Sequence, residues 1–311
     1  MYDATKPYKH ELVRLVAQTW DTPYLKITPG IYTHFEKKFR GVEIQHTDGI
    51  GTKGIFHWQR RTFKNAVLDA LAMNLNDLVM VGATPYAIQN HIVLPKDDHK
   101  AVLKIVQALA HECRKRKIAM TGGETSIHND GKGMDISITV SGFLKTPRKN
   151  ECKRGDVLIG LRSAGLHSNG ITKARMVFKD LYRKEFTTPT RIYADKLLPL
   201  LTKYRVHGMM HITGGAFTKL KDILGANDAV IKHPKKLWPQ KVFFDISKRG
   251  VPNKEMYTTF NCGIGFVLSV APKDAKSLLK RIPGSAAIGE VTKGEGKIVI
   301  YPAFSKKPLM L

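Results

Sequence analysis

The segment TPRKNECKRGD (146–156) is the feature that most limits how this chain can fold. It is polar, charged and punctuated by proline and glycine, so it offers a core almost nothing and marks a domain boundary. A chain of 311 residues suits two domains at ~150 residues each. Both flanks mix strand and helix patterns. Before the break, VEIQHTDG (42–49) alternates apolar and polar side chains as a half-buried strand does. Residues 63–81 have helical periodicity, 86–94 reads as a strand, 97–117 as a helix and 134–144 as a second alternating strand. Leu12, Leu15 and Val16 give the first twenty residues an amphipathic helix, whereas 21–41, with Pro23, Pro29 and Gly30, reads as irregular. After the break come a strand at 157–162, a glycine-rich turn at 165–170, helices to about 205 and a turn at 213–215. A strand at 263–270, a helix at 272–281 and strands around 286–300 follow. The pattern predicts two α+β domains, residues 1–150 and 151–311, each with helices against a sheet.

Composition removes several classes. Hydrophobic residues at 42% and charged residues at 25% describe an ordinary globular surface and core. The most apolar stretch, 66–94, carries Asp69, Asp77 and Pro85, which rules it out as a membrane span. Cys113, Cys152 and Cys262 are far apart and form no C-x-x-C pair, so the expectation is a reducing compartment, the cytoplasm, without disulfides or a cysteine zinc site. MYDATKPYKH has no basic-then-apolar leader, and no secretory signal is expected. The formal charge of +25 attracts polyanions such as nucleic acid or phosphorylated metabolites. Its lysines and arginines are scattered, with no RNA-binding aromatic strand or zinc-finger spacing, so a solvated basic surface is favoured over a dedicated nucleic-acid face.

Five segments carry the chemistry: TDGIGTK (47–53), AMNLNDLVMVGATP (72–85), TGGETS (121–126), SAGLHSNG (163–170) and HITGGA (211–216). Each is read as a strand or helix end, where backbone amides are free and a ligand can approach closely. Asp48 is suited to Mg²⁺ and Lys53 to a phosphate, although the Walker A spacing is absent. On a helix of ~100° per residue with Asp69 at zero, Leu68, Leu71, Ala72, Leu75, Leu78 and Val79 fall between about 180° and 300°. Asn76 falls at about −20° and Asp77 at about 80°, so short polar groups line the edge of the buried face. Asn and Asp are mediocre helix formers, which favours magnesium and phosphate chemistry for Asp69, Asn76 and Asp77 over a solvated face. Glu124 adds a carboxylate beside two glycines; the bland alternative is a tight turn capped by Thr125 or Ser126. His167, Ser168 and Asn169 precede a helix starting near Ile171, whose N-terminus favours anions. His207 and His211 lack the H-E-x-x-H pattern and are expected to pack or hydrogen-bond.

In order, these segments resemble the phosphoribosylformylglycinamidine cyclo-ligase (aminoimidazole ribonucleotide synthetase) family, and the likeness continues through GDVLIGL (155–161), TPTRIY (188–193) and MYTTFNCGIGF (256–266). The resemblance covers roughly 42–270. It implies a two-domain α+β fold, with N-terminal strands completing a β-barrel in a homodimer and a C-terminal α/β sandwich domain. It also implies an ATP- and Mg²⁺-dependent closure of formylglycinamidine ribonucleotide to aminoimidazole ribonucleotide, without membrane or specific nucleic-acid partners. By similarity, Asp48, Gly49, Gly51, Thr52, Lys53, Asp69, Asn76, Asp77, Gly123 and Glu124 serve ATP, with Asp48, Asp77 and Glu124 on the metal. His167, Ser168, Asn169, Thr213, Gly214 and Gly215 would hold the phosphorylated ribonucleotide, with His167, Lys53 and Asp48 closest to the reaction. Other ATP-dependent enzymes that phosphorylate small molecules share the wider superfamily. Two departures stand out: 24–38 has only Gly30 where relatives are glycine-rich, and Ala216 with FTKLKDIL replaces a third glycine and an Asn-x-Pro-Arg run.

Overall fold

In the computed structural model, which describes residues 8–30 and 32–311, strands distant in sequence build each of the two larger sheets. One unit comprises the residues up to Leu78 together with Ala83–Pro147; the other comprises Val79–Gly82 and Arg148–Leu311. Among the described residues, no helix is long and apolar enough to cross a membrane.

The first unit runs α1 (Lys9–Ala17), β1 (Leu25–Thr28), β2 (His34–Lys37), β3 (Val42–Gly49), α2 (Gly54–Arg60), α3 (Phe63–Met80), β4 (Thr84–Leu94), α4 (His99–Lys115), β5 (Ala119–Ile127) and β6 (Asp135–Leu144). Its main sheet has the order β3-β6-β4-β5; β1 and β2 pair as a separate antiparallel ribbon. That ribbon corrects the irregular reading of 21–41. Ile136, Ile138 and Val140 of β6 are buried while the residues between them are half-exposed, the period-2 signature of a sheet covered on one face. Asp98 caps α4 by accepting from the Ala101 amide at 3.0 Å, and Ile105, Leu109 and Cys113 form its buried stripe.

One expectation about this unit needs correction. TGGETS is neither an element end nor the tight turn that was its alternative: it lies inside β5, paired in parallel with β4 through Gln89↔Gly122, Asn90↔Gly123 and His91↔Glu124. Two glycines erase the side-chain alternation by which a strand is recognised, and long-range pairing supplies what local propensity lacks. Within this single chain β3 and β5 are the two edges of an open four-stranded sheet.

The second unit contains β7 (Val157–Arg162), α5 (Ile171–Val177), α6 (Ala194–Leu201), β8 (Val206–His211), α7 (Lys221–Leu224), β9 (Asn227–Ile231), α8 (Lys241–Ser247), α9 (Asn253–Thr259), β10 (Ile264–Val270), α10 (Pro272–Arg281), β11 (Ser285–Lys293), β12 (Ile298–Ile300) and β13 (Leu309–Met310). Its strands form one seven-stranded sheet, β13-β12-β9-β11-β7-β10-β8, antiparallel except between β12 and β9. Every residue of β10 is buried, as its apolar run requires, and α10 packs on β7 and β11.

Candidate active site

In the first unit the site begins where β3 ends. Residues 44, 46 and 48 share the less exposed side of β3, so strand alternation alone puts His46 beside Asp48. The Asp48 carboxylate accepts from the Gly49 amide at 2.7 Å. Asn74 of α3 donates to the Asp48 carbonyl at 3.1 Å and accepts from His46 Nδ1 at 3.0 Å. His46 Nε2 lies 3.5 Å from Asp77 Oδ2. Asp48 and Asp77 therefore face one polar cluster that also holds His46 and Asn74, two residues the sequence reading missed. The available signal was the spacing H-T-D on one strand face.

After Asp48 the chain turns inward. Gly51 takes a left-handed φ of 55°, and its neighbour Thr52 is exposed. A Cβ on Gly54 would sit 1.8 Å from the Met134 carbonyl oxygen, so only glycine passes there. That close passage turns Lys53 away from solvent: its Nζ lies 2.8 Å from Asp69 Oδ2, with both side chains fully buried. His57 Nε2 lies 2.9 Å from the same oxygen, and its Nδ1 is 2.8 Å from Thr62 Oγ1. Burial alone would push the Asp69 carboxyl up, but the Lys53 ammonium and the His57 ring hold it well below the usual carboxylate range. The expected polar edge of α3 is thus corrected. Asp69, Asn74 and Asn76 are fully buried while Leu68 is half-exposed, because this helix is enclosed on nearly every side and its polar groups are satisfied internally.

The trio Asp48, Asp77 and Glu124 does not converge. Among the described residues no three His, Cys, Asp or Glu side chains come together around a metal position. Register explains it. Asp48 pairs with Ile138, Asn90 and Gly123 across the sheet, whereas Glu124 belongs to the next row with His91 and Ser137. Neighbouring rows face opposite sides, and three strand spacings of ~4.8 Å put the two edges ~14 Å apart. Asp135, unremarked in the sequence, lies near the end of β3, with Oδ1 3.5 Å from where a Gly49 Cβ would be. Burial pushes its carboxyl up.

Gly123 and Glu124 instead line a cavity of about 330 Å³ shared with Leu12 and Val16 of α1, with Trp20, and with Asn90 and Met120. A Cβ on Gly123 would lie 2.8 Å from Asn90 Oδ1, so the glycine makes room for that amide. The cavity has an apolar wall and a few polar groups, the usual character of a small-molecule site.

In the second unit four motifs meet. His167 is buried in a left-handed conformation, φ 64°, and its Nε2 accepts from the Ala164 amide at 2.9 Å. Asn261 of MYTTFNCGIGF donates to the Gly165 and Leu166 carbonyls at 2.8 and 3.1 Å. Ser168 Oγ is 3.0 Å from Thr190 Oγ1 of TPTRIY. A Cβ on Gly214 would lie 3.6 Å from Asn169 Oδ1, and one on Gly265 only 2.6 Å from His167 Cε1. Thr213 is buried, while Gly214 and Gly215 are exposed. Every residue expected at the second site therefore gathers here. As expected, His207 hydrogen-bonds through Nδ1 to Asp156 at 2.9 Å, and His211 stacks on Phe266.

Residues 40–144 match the family described as AIR synthase related protein, N-terminal domain, and residues 153–302 match the corresponding C-terminal domain. The phosphoribosylformylglycinamidine cyclo-ligase of Saccharolobus solfataricus is 36% identical over 262 residues, covering 81% of this chain and 79% of the relative. That of Sulfurisphaera tokodaii is 37% identical, covering 82% of each. In fold, the chain is similar to the hydrogenase maturation protein HypE in complex with ATP, with a TM-score of 0.73, 17% identity, and coverage of 100% of this chain and 96% of that one. Thiamine monophosphate kinase from Aquifex aeolicus gives a TM-score of 0.59 and 16% identity, over 95% of this chain and 98% of that one. By its sequence over four-fifths of its length, and by both of its domains, the chain belongs to the phosphoribosylformylglycinamidine cyclo-ligase family.

Proposed function

We propose that the protein closes the imidazole ring of aminoimidazole ribonucleotide from formylglycinamidine ribonucleotide, using ATP and releasing ADP and phosphate, a step of purine biosynthesis. The convergence of SAGLHSNG, TPTRIY, HITGGA and MYTTFNCGIGF on one polar turn carries this reading. The formyl oxygen attacks the γ-phosphorus and ADP leaves. The neighbouring nitrogen then attacks the activated carbon, the C–O bond breaks, phosphate departs and the nitrogen loses its proton. Such a reaction asks a protein mainly for positioning and charge.

The N-terminal domain, 1–150, takes the nucleotide. The apolar wall of Leu12, Val16 and Trp20 suits a base, with Asn90 available to its polar edge. Asp48 and Asp77 are hard oxygen donors of the kind Mg²⁺ accepts alongside nucleotide phosphates, and when bound the ion neutralises charge on the transferring group. Gly49, Gly51 and Thr52 let the phosphates approach the backbone, and Asn76 and Asp69 act from below that surface. Because Lys53 is buried on Asp69, it shapes the β3 turn from within. The C-terminal domain, 151–311, takes the ribonucleotide on Ser168, Asn169 and Thr213–Gly215. His167 holds its loop through Nε2, which makes it a positioning residue for Ser168 and Asn169.

The open edges of β3 and β5 support a homodimer whose sheets close a barrel. The solvent-facing row of Gln45, Thr47, Thr139 and Ser141, bonded across strands, would form its polar interior. Three buried, unbridged cysteines fit a cytoplasmic setting. The test is ADP release with formylglycinamidine ribonucleotide and Mg-ATP. Release that requires the ribonucleotide is the expected result; release indifferent to it removes this activity.

A further inference from the structure

The turn Thr213–Gly215 is bracketed from two sides. On one side Asn169 Oδ1 lies 3.6 Å from the position of a Gly214 Cβ. On the other, the stem of Lys219 folds back over Gly215, its Cγ 3.6 Å from where a Cβ would be, and its Nζ reaches Thr213 Oγ1 at 3.0 Å. The chain reverses this tightly because Gly215 and Ala216 are both left-handed, at φ 77° and 45°, and the Ala216 amide closes the turn on the Thr213 carbonyl at 2.7 Å. Lys219 then begins its return within the short 3-10 helix Ala216–Leu220.

The donors at this turn exceed the acceptors. Among the described residues, the Gly214 and Gly215 amides donate to no backbone carbonyl, and Lys219 pairs with no carboxylate. An ammonium carries three donors, of which the threonine oxygen takes one. Half-buried and held against a buried hydroxyl, Lys219 presents its remaining donors beside two exposed glycines, the arrangement that receives an oxyanion.

We infer that Lys219 is the cation that holds the phosphate monoester of the ribonucleotide at the Thr213–Gly215 turn. This assignment rests on the ribonucleotide reading above and adds a specificity residue to it. Thr213 positions the ammonium, and the glycine amides share the phosphate oxygens.

Calorimetry with ribose 5-phosphate as the probe, on the full chain and its Lys219→Met and Lys219→Arg variants, tests the contact. Losing a charge-assisted hydrogen bond should weaken binding about 10- to 100-fold in Lys219→Met, with most of it restored in Lys219→Arg. In the cyclisation assay the KM for the ribonucleotide should rise by a similar factor, with the KM for ATP and the melting temperature unchanged. Unaltered ribose 5-phosphate binding in Lys219→Met overturns the proposal. So does a fall in kcat with KM intact, because the lysine then acts on the transferring phosphoryl group. A wild-type chain that binds ribose 5-phosphate through Lys219 but closes no ring would remove the activity and leave the phosphate cradle standing.

Discussion

Lys53 Nζ lies 2.9 Å from Oδ1 and 2.8 Å from Oδ2 of Asp69, and neither side chain reaches solvent. The lysine that a sequence reader assigns to a nucleotide phosphate is thus one half of a buried ion pair, with His57 as its third member. Asp69→Asn should lower the unfolding free energy by about 3–5 kcal/mol, since it leaves a buried ammonium facing a neutral amide. Urea titration at pH 7 measures this. The double change Lys53→Met with Asp69→Leu should recover much of the loss, and strictly additive losses would mean the two are not coupled.

Asp77 behaves differently because it lies at the half-buried end of the polar cluster. Asp77→Asn should cost less than about 1 kcal/mol of stability. It should also raise the Mg²⁺ concentration needed for half-maximal turnover about 10- to 100-fold. A variant with an unchanged magnesium requirement would remove Asp77 from the metal.

Acid should weaken the second domain through His233. Burial pushes its ring down to about 4, and Tyr257 Oη lies 2.9 Å from its Nε2. The unfolded chain takes up this proton near pH 6.5, the folded chain only near 4. Unfolding free energy therefore falls as pH drops through that window, by up to about 3 kcal/mol. Comparing His233→Gln with wild type across pH 7 to 4 isolates the effect. Parallel curves would show that the ring is not held neutral.

Gly54 and Gly51 separate steric from conformational need. Gly54→Ala drives a methyl into the Met134 carbonyl and should cost about 3 kcal/mol or more. Gly51→Ala meets open space but keeps φ at 55°, and should cost about 1 kcal/mol. Equal melting temperatures for the two variants would contradict the close passage against Met134.

Helix α10 occupies 272–281 and strand β7 occupies 157–162, as their periodicities predict, because each element's buried face is written locally. The strand through TGGETS is not legible locally because its two glycines interrupt the alternation of side chains, and only its pairing with β4 reveals it. Likewise a helical wheel gives α3 a polar edge, because it shows which residues share a face but not how many faces are covered.

What the sequence by itself determined was the inventory: two α+β halves, the chemistry-bearing segments, and family membership through their order. Tertiary structure decided which of those side chains meet. Strand register put Asp48 and Glu124 on opposite edges, enclosure of α3 turned Lys53 onto Asp69, and one tight reversal brought Lys219 back to Thr213. Local periodicity encodes the direction of a side chain along its own element. Contact between elements depends on packing and pairing across long stretches of chain, which no short window of residues contains.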